Sequence, residues 1–197
     1  MNVYVPDNLW GEMLPSIDNR QLMKDCLLVE NYLNTNDILK DDPGIYGSET
    51  SASYQKYNLL SFPLRSFQIL YHSMVSVIKP CLPNEPHVLQ CWLNVFRENA
   101  SIGWHSHWDK KYRTLHGFYC VNVTPSFTEY EFLHRPGENF KVESKEGLLV
   151  FGKSNDDRHR SSPWSGGAVP RVTIAFDVVP VSTLGDELIV PNHYLPF

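Results

Sequence analysis

The stretch from Val88 to Val179 constrains the fold most, because its texture suits β structure and little else. Short β-rich runs follow one another over 88–97, 114–123, 129–133, 139–143, 147–151 and 171–179. Turn formers separate them, among them Pro125-Ser126, Pro136-Gly137 and Gly166-Gly167. Many short strands punctuated in this way make an antiparallel sandwich or barrel. Two helical stripes precede them. Asp18-Asn19 can cap a helix running to about Leu33, with Leu22, Met23, Cys26, Val29 and Leu33 on one side. A second helix is expected over 64–79, where Phe67, Leu70, Tyr71, Met74, Val75 and Ile78 recur at helical spacing and Pro80 ends the pattern. The expected fold is mainly β with N-terminal helices. A double-stranded β-helix (a jelly roll, cupin-like) spans 87–180 and rests on a helical layer over 1–86, in a single domain of 197 residues.

Residues 34–62 join the two helices and carry turn chemistry in Asp41-Asp-Pro-Gly44 and Gly47-Ser-Glu-Thr-Ser-Ala-Ser53. Loops of this length are often lids, and Tyr46, Tyr54 and Tyr57 would suit one that touches substrate. An ordinary surface connection with a few packed aromatics fits the composition equally well. The tail over 181–197 is expected to wrap the domain or to meet a second subunit in a homodimer.

The chemistry is concentrated in His107-Trp-Asp109, in His159 fifty residues beyond Asp109, and in Arg171 twelve residues further on. Residues two apart on an extended segment point to the same side, so His107 and Asp109 can grip one ion. With His159 brought over from another strand they make two imidazoles and one carboxylate. That ligand set holds non-heme Fe(II) on one face and leaves positions open for O2 and a co-substrate. Arg171 opens the run Arg-Val-Thr-Ile-Ala-Phe-Asp-Val-Val, where alternation puts Arg171 and Thr173 on one face. A buried Arg beside an open metal position is a bidentate clamp for a carboxylate. His105 shares the face of His107, so a three-histidine site of His105, His107 and His159, as in cupin-type metalloproteins, stays open. The carboxylate set is favoured because a hard oxygen ligand suits Fe(II), with His105 then facing substrate or standing behind the ligands. Asp156 and Asp157 read as a solvated turn, and His116 can face the cavity. Trp104, Trp108 and Trp164 can shape its mouth.

The ordered set His107-Trp-Asp109, His159, Arg171 and Thr173 resembles the motif of the Fe(II)/2-oxoglutarate-dependent dioxygenase superfamily. The flanks Arg113-Thr-Leu-His-Gly-Phe-Tyr-Cys-Val-Asn122 and Gly147-Leu-Leu-Val-Phe-Gly152 are similar to its prolyl-hydroxylase-like members. The resemblance covers about residues 87 to 180. It implies a dioxygenase that uses Fe(II), 2-oxoglutarate and O2 and releases succinate and CO2, with hydroxylation the default outcome. His107, Asp109 and His159 would be the metal ligands. Arg171 and Thr173 would hold the 5-carboxylate of 2-oxoglutarate, and Tyr119 and Asn94 would be further contacts to it. The substrate would be a small molecule or a peptidyl side chain. The competing reading is a catalytically silent jelly-roll binding module.

A formal charge of −5 gives no general attraction to nucleic acid or to membranes. Cys26, Cys81, Cys91 and Cys120 show no CxxC spacing and read as reduced thiols. No apolar run approaches the roughly 18 residues that span a bilayer, and no signal-peptide pattern opens the chain. A soluble, cytoplasmic protein is expected.

Overall fold

The computed structural model describes residues 9–108, 110–154, 157–185 and 193–197. Asp109, Asp156 and most of the stretch after Gly185 therefore lie outside the described residues. Both expected helices form. Helix α1 (Asn19–Thr35) is capped by the Asp18 side chain, which accepts the Gln21 backbone N–H at 3.0 Å. It buries Leu22, Cys26, Val29 and Leu33. Helix α3 (Arg65–Ile78) buries Phe67, Leu70, Met74 and Ile78. The short helix α2 (Glu49–Ala52) lies between them.

The strands are β1 (Leu9–Met13), β2 (His87–Phe96), β3 (Leu115–Asn122), β4 (Phe127–Phe132), β5 (Asn139–Glu143), β6 (Leu148–Lys153), β7 (Asp157–Ser161), β8 (Arg171–Pro180) and β9 (Leu195–Pro196). They build a six-stranded sheet in the order β1-β6-β3-β8-β2-β9 and a three-stranded sheet in the order β5-β4-β7, paired antiparallel throughout. Residues 102–106 extend the small sheet along β7. His105 and His159 exchange backbone hydrogen bonds of 3.0 and 2.9 Å, and the Ser161 N–H donates to the Ile102 carbonyl at 3.1 Å. From β2 onward, successive strands thus pair off between the two sheets. The chain is a jelly roll, with its helices packed on the outer face of the large sheet.

Alternation along each strand separates two environments. On β8, Val172, Ile174, Phe176 and Val178 face the helices in one apolar core, together with Leu89, Cys91, Leu93 and Val95 of β2. Arg171 and Thr173 face the opposite way, into the space between the sheets, as do Asn94 and Phe96 of β2. A second apolar cluster, including Cys120, Tyr130, Phe132 and Val150, fills the rest of the sandwich.

The segment over 34–62 is more firmly built in than its composition implies. Thr50, Ser51, Ala52, Tyr57, Asn58 and Leu59 are buried. The Tyr57 hydroxyl accepts the Leu93 N–H at 2.9 Å and donates to the Thr50 carbonyl at 3.1 Å. Asn58 donates to the Leu89 carbonyl at 2.9 Å. Gly47 has a φ of +69°, and a side chain there would run into the Ser101 carbonyl, so this turn fits closely against the segment leading to the histidines. The stretch before Ser48 is the more exposed part, with Ile45 open to solvent. The last described residues pack on the domain: β9 pairs with β2 at Val88 and Leu89, and the Tyr71 hydroxyl donates to the Pro196 carbonyl at 2.7 Å. No described helix is long and apolar enough to cross a membrane.

Candidate functional site

The cavity between the sheets opens where residues 102–106 run along β7. Its wall includes His105, His107, His116, His159, Arg171 and Thr173. His105 and His159 face each other across the strand pair with ring centroids 4.3 Å apart, and His107 lies 5.4 and 5.2 Å from them. One ring nitrogen from each of the three lies within 4.8 Å of the others.

The opposite edge of each ring is tied down. His105 Nδ1 donates to the Gly103 carbonyl at 2.8 Å. His107 Nδ1 donates to Asp177 Oδ1 at 2.7 Å, and His159 Nδ1 donates to Asp157 Oδ1 at 2.9 Å. A carbonyl or carboxylate partner can only accept, so each imidazole carries its proton on Nδ1 and keeps the Nε2 lone pair free. This is the arrangement of imidazoles that ligate a metal through Nε2 with an outer acceptor behind them.

Charge follows the same logic. Burial pushes His105 down to about 4, helped by the neighbouring His107 and opposed by the Gly103 carbonyl. Burial also holds His159 well below its ordinary value, against the Asp157 hydrogen bond. At His107 burial pulls down, but the charge and hydrogen bond of Asp177 outweigh it and the net shift is upward. Burial would raise Asp157, yet His116 and His159 hold it well below the carboxylate range. His105 and His159 are thus kept neutral, the state a metal requires.

Arg171 is 2% exposed and stacks on Phe96 with its guanidinium 5.4 Å from the ring centroid. Burial lowers it only to about 10, so it remains a cation at neutral pH. Its Nη1 donates weakly to the Ser162 carbonyl at 3.3 Å, and its Nε has no partner. Among the described residues no carboxylate pairs with it. Asn94 Nδ2 donates to Thr173 Oγ1 at 3.2 Å, and Asn94 Oδ1 has no partner. A buried guanidinium with an unpaired Nε on the wall of this cavity is the group a small dianion would satisfy; the Asn94 Oδ1 acceptor calls for a donor instead.

Of the expected site residues, the fold brings His107, His159, Arg171, Thr173 and Asn94 to this cavity, whereas Asp109 lies outside the described residues. Tyr119 is a correction. It points to the helical layer, where its hydroxyl donates to Asn19 Oδ1 at 2.8 Å. On β3 the even-numbered positions His116 and Phe118 face the cavity, and Tyr119 is out of phase with them. Asp157 is likewise no solvated residue. It is 2% exposed and accepts from His159 and, at 3.1 Å, from His116 Nε2. Trp164 is buried with Nε1 donating to the Val169 carbonyl, and Trp104 lies under Arg158 and Arg160; neither is among the residues that line the cavity. Trp92 does border the mouth, its ring 5.9 Å from His107 and 5.3 Å from Tyr54. Sequence reading passed over Asp177. Its signal was an acid inside an apolar strand run, in phase with Arg171 and Thr173.

No family model matches the sequence, and no curated protein matches it either. Solved structures do match. A prolyl hydroxylase from Trichoplax adhaerens, in complex with a hypoxia inducible factor oxygen degradation domain peptide fragment, superposes with a TM-score of 0.58 at 11% identity, over 90% of this chain and 87% of that one. AviO1 from Streptomyces viridochromogenes Tue57 superposes at 0.57 with 15% identity, over 95% and 93%. The non-heme alpha ketoglutarate dependent epimerase SnoN from nogalamycin biosynthesis does so at 0.52 with 11% identity, over 95% and 86%. The jelly roll of this chain is therefore a fold that it shares with a prolyl hydroxylase and a 2-oxoglutarate-dependent epimerase.

Proposed function

We propose that this chain is an Fe(II)- and 2-oxoglutarate-dependent oxygenase, most simply a hydroxylase. His105, His107 and His159 hold the metal, and Arg171 binds the far carboxylate of 2-oxoglutarate. The reading is carried by one observation: three imidazoles with their Nδ1 edges tied off share a cavity with a buried guanidinium whose Nε is unpaired. Both halves of the co-substrate site then have groups on the walls of one cavity. With Fe(II), 2-oxoglutarate and O2 bound, the centre supplies the oxidation of a substrate C–H bond, with succinate and CO2 as the other products.

The chain's own residues do the rest. Arg171 offers a charged fork to a carboxylate, and Thr173 and Asn94 add polar contacts on the same wall. Trp92, Phe96 and Phe118 line the cavity with apolar surface and keep water from the metal. The substrate is a small molecule or a peptidyl side chain; the Trichoplax neighbour, itself in complex with a peptide, makes the peptidyl option concrete.

A second reading replaces His105 by Asp109, favoured by the His107-Trp-Asp109 spacing. Succinate formation from 2-oxoglutarate separates the two. His159→Ala should abolish it in either case. Under the three-histidine set, Asp109→Ala keeps substantial turnover and His105→Ala loses it; the reverse result hands the third position to Asp109. A wild-type protein that consumes no 2-oxoglutarate with Fe(II) across a metabolite and peptide panel is the silent binding module instead.

A further inference from the structure

Two buried aspartates stand behind the imidazoles, and the oxygenase reading does not itself call for them. Asp177 of β8 accepts from His107 Nδ1 at 2.7 Å with one oxygen and from Trp108 Nε1 at 2.8 Å with the other. Asp157, which opens β7, accepts from His159 Nδ1 at 2.9 Å with one oxygen and from His116 Nε2 at 3.1 Å with the other. Both are buried, at 6% and 2% exposure. Each carboxylate is thus held by two N–H donors, one on each oxygen: neighbouring residues of one loop at Asp177, and residues of β7 and β3 at Asp157. In both pairs the second donor, Trp108 Nε1 or His116 Nε2, has no other hydrogen-bond partner among the described residues.

Three neutral imidazoles bring no negative charge to a divalent cation. Asp177 and Asp157 bring one formal charge each, a single hydrogen bond away. We propose that Asp177 and Asp157 are positioning residues for the metal: they lock His107 and His159 as Nδ1–H tautomers, direct the Nε2 lone pairs inward, and supply the negative charge that a ligating carboxylate would otherwise bring. The inference rests on the three-histidine metal site proposed above. Outer carboxylates of this kind change metal affinity by about 10- to 100-fold when removed. His116, Asp157 and His159 also lie close enough to form a ligand set of their own. In that arrangement Asp157 would touch the ion directly, and Asp177 would have no part in binding it.

The test uses the full chain, metal-free and without 2-oxoglutarate. Co(II) is titrated calorimetrically into wild type, Asp177→Asn and Asp157→Asn. Asparagine keeps the shape but turns an amide N–H toward one of the two donors and removes the charge. Each variant should bind Co(II) about 10- to 100-fold more weakly than wild type. Nitrogen-15 spectra of histidine-labelled wild-type protein should show His107 and His159 protonated on Nδ1 before metal is added, as their bonds to Asp177 and Asp157 require. Equal Co(II) affinity in all three proteins overturns the inference. So does a His107 ring found as the Nε2–H tautomer with Nδ1 bare, which decides the matter even if a variant fails to fold. Loss of binding in Asp157→Asn with none in Asp177→Asn assigns the ion to His116, Asp157 and His159 and again overturns it. A wild type that binds no Co(II) at all removes the metal site itself, a failure distinct from the others.

Discussion

The two faces of the large sheet are made by the same strands and obey different rules. Toward the helices, alternate residues of β2, β3 and β8 are apolar and fully buried, and the one hydroxyl among them, on Tyr119, is bonded to Asn19. Toward the cavity, the intervening residues of the same strands include Asn94, His116, Arg171, Thr173 and Asp177 beside Trp92, Phe96 and Phe118, and the Arg171 Nε and Asn94 Oδ1 atoms lack partners. A folded chain leaves such atoms buried and unsatisfied only at a cost in free energy. The helix-facing side therefore carries stability, while the cavity side forgoes some of it to hold groups ready for a ligand.

The largest difference between the faces should appear on truncation. Phe176 is fully buried against the helical layer and its ring fills the space beside Gly117. Phe176→Ala should cost about 3–5 kcal/mol in denaturant unfolding. A loss under about 1 kcal/mol would mean that this face is not the stabilising one. Arg171→Ala on the other face should behave oppositely. It removes a buried cation without a described acidic partner, so stability should hold or rise. The 2-oxoglutarate concentration needed for turnover should climb roughly ten- to a hundred-fold, matching the roughly 1.5–3 kcal/mol of a hydrogen bond to a charged group. An unchanged requirement would take Arg171 out of the site.

Tyr119→Phe is a smaller change. It should lower stability by roughly 0.5–1.5 kcal/mol through the bond to Asn19 and leave the 2-oxoglutarate requirement alone. A shift in that requirement would return Tyr119 to the cavity.

The smallest effect concerns pH in the metal-free protein. His105 is held at about 4 against an ordinary 6.5, and His159 is lowered too. The unfolded chain takes up protons on these rings near 6.5 while the folded chain does not, so stability should fall as pH drops from 6.5 toward 4. His107, raised, opposes this: its contribution is complete below 6.5 and is lost only as pH rises through its folded value. Asp157, depressed, contributes above its ordinary 3.8 and is lost only in stronger acid. Urea unfolding between pH 7 and pH 5 should show the decline, and His105→Gln should flatten it. A stability that rises on acidification in this range would contradict the burial of these rings.

Strand rhythm made most of the jelly roll legible, because a buried apolar face repeats every second residue and turns interrupt it visibly. β7 was hidden for the opposite reason. Asp157-Arg-His-Arg-Ser161 carries polar residues on both faces: Arg158 and Arg160 outside with Glu131 and Glu129, Asp157 and His159 inside. No hydrophobic alternation marks such a strand. Tyr119 failed through phase, since a displacement of one residue along β3 exchanges cavity for core. Asp177 was overlooked although its register was correct, because an acid in an apolar run gains meaning only once His107 and Trp108 arrive from a loop seventy positions away. The segment over 34–62 looked loose in composition, yet Ser53 accepts the Lys40 N–H and Asn58 donates to the Leu89 carbonyl, partners that only tertiary contact supplies.

The central claim is that the three imidazoles and Arg171 serve one metal-bound 2-oxo acid. Absorption spectroscopy under argon, with Fe(II) added first and 2-oxoglutarate second, tests it most directly. The account predicts a weak visible charge-transfer band that appears only when both are present, survives in Asp109→Ala, disappears in His159→Ala, and needs far more 2-oxoglutarate in Arg171→Ala. A wild-type protein that gives no such band, or one whose band is indifferent to His159 and Arg171, would contradict it.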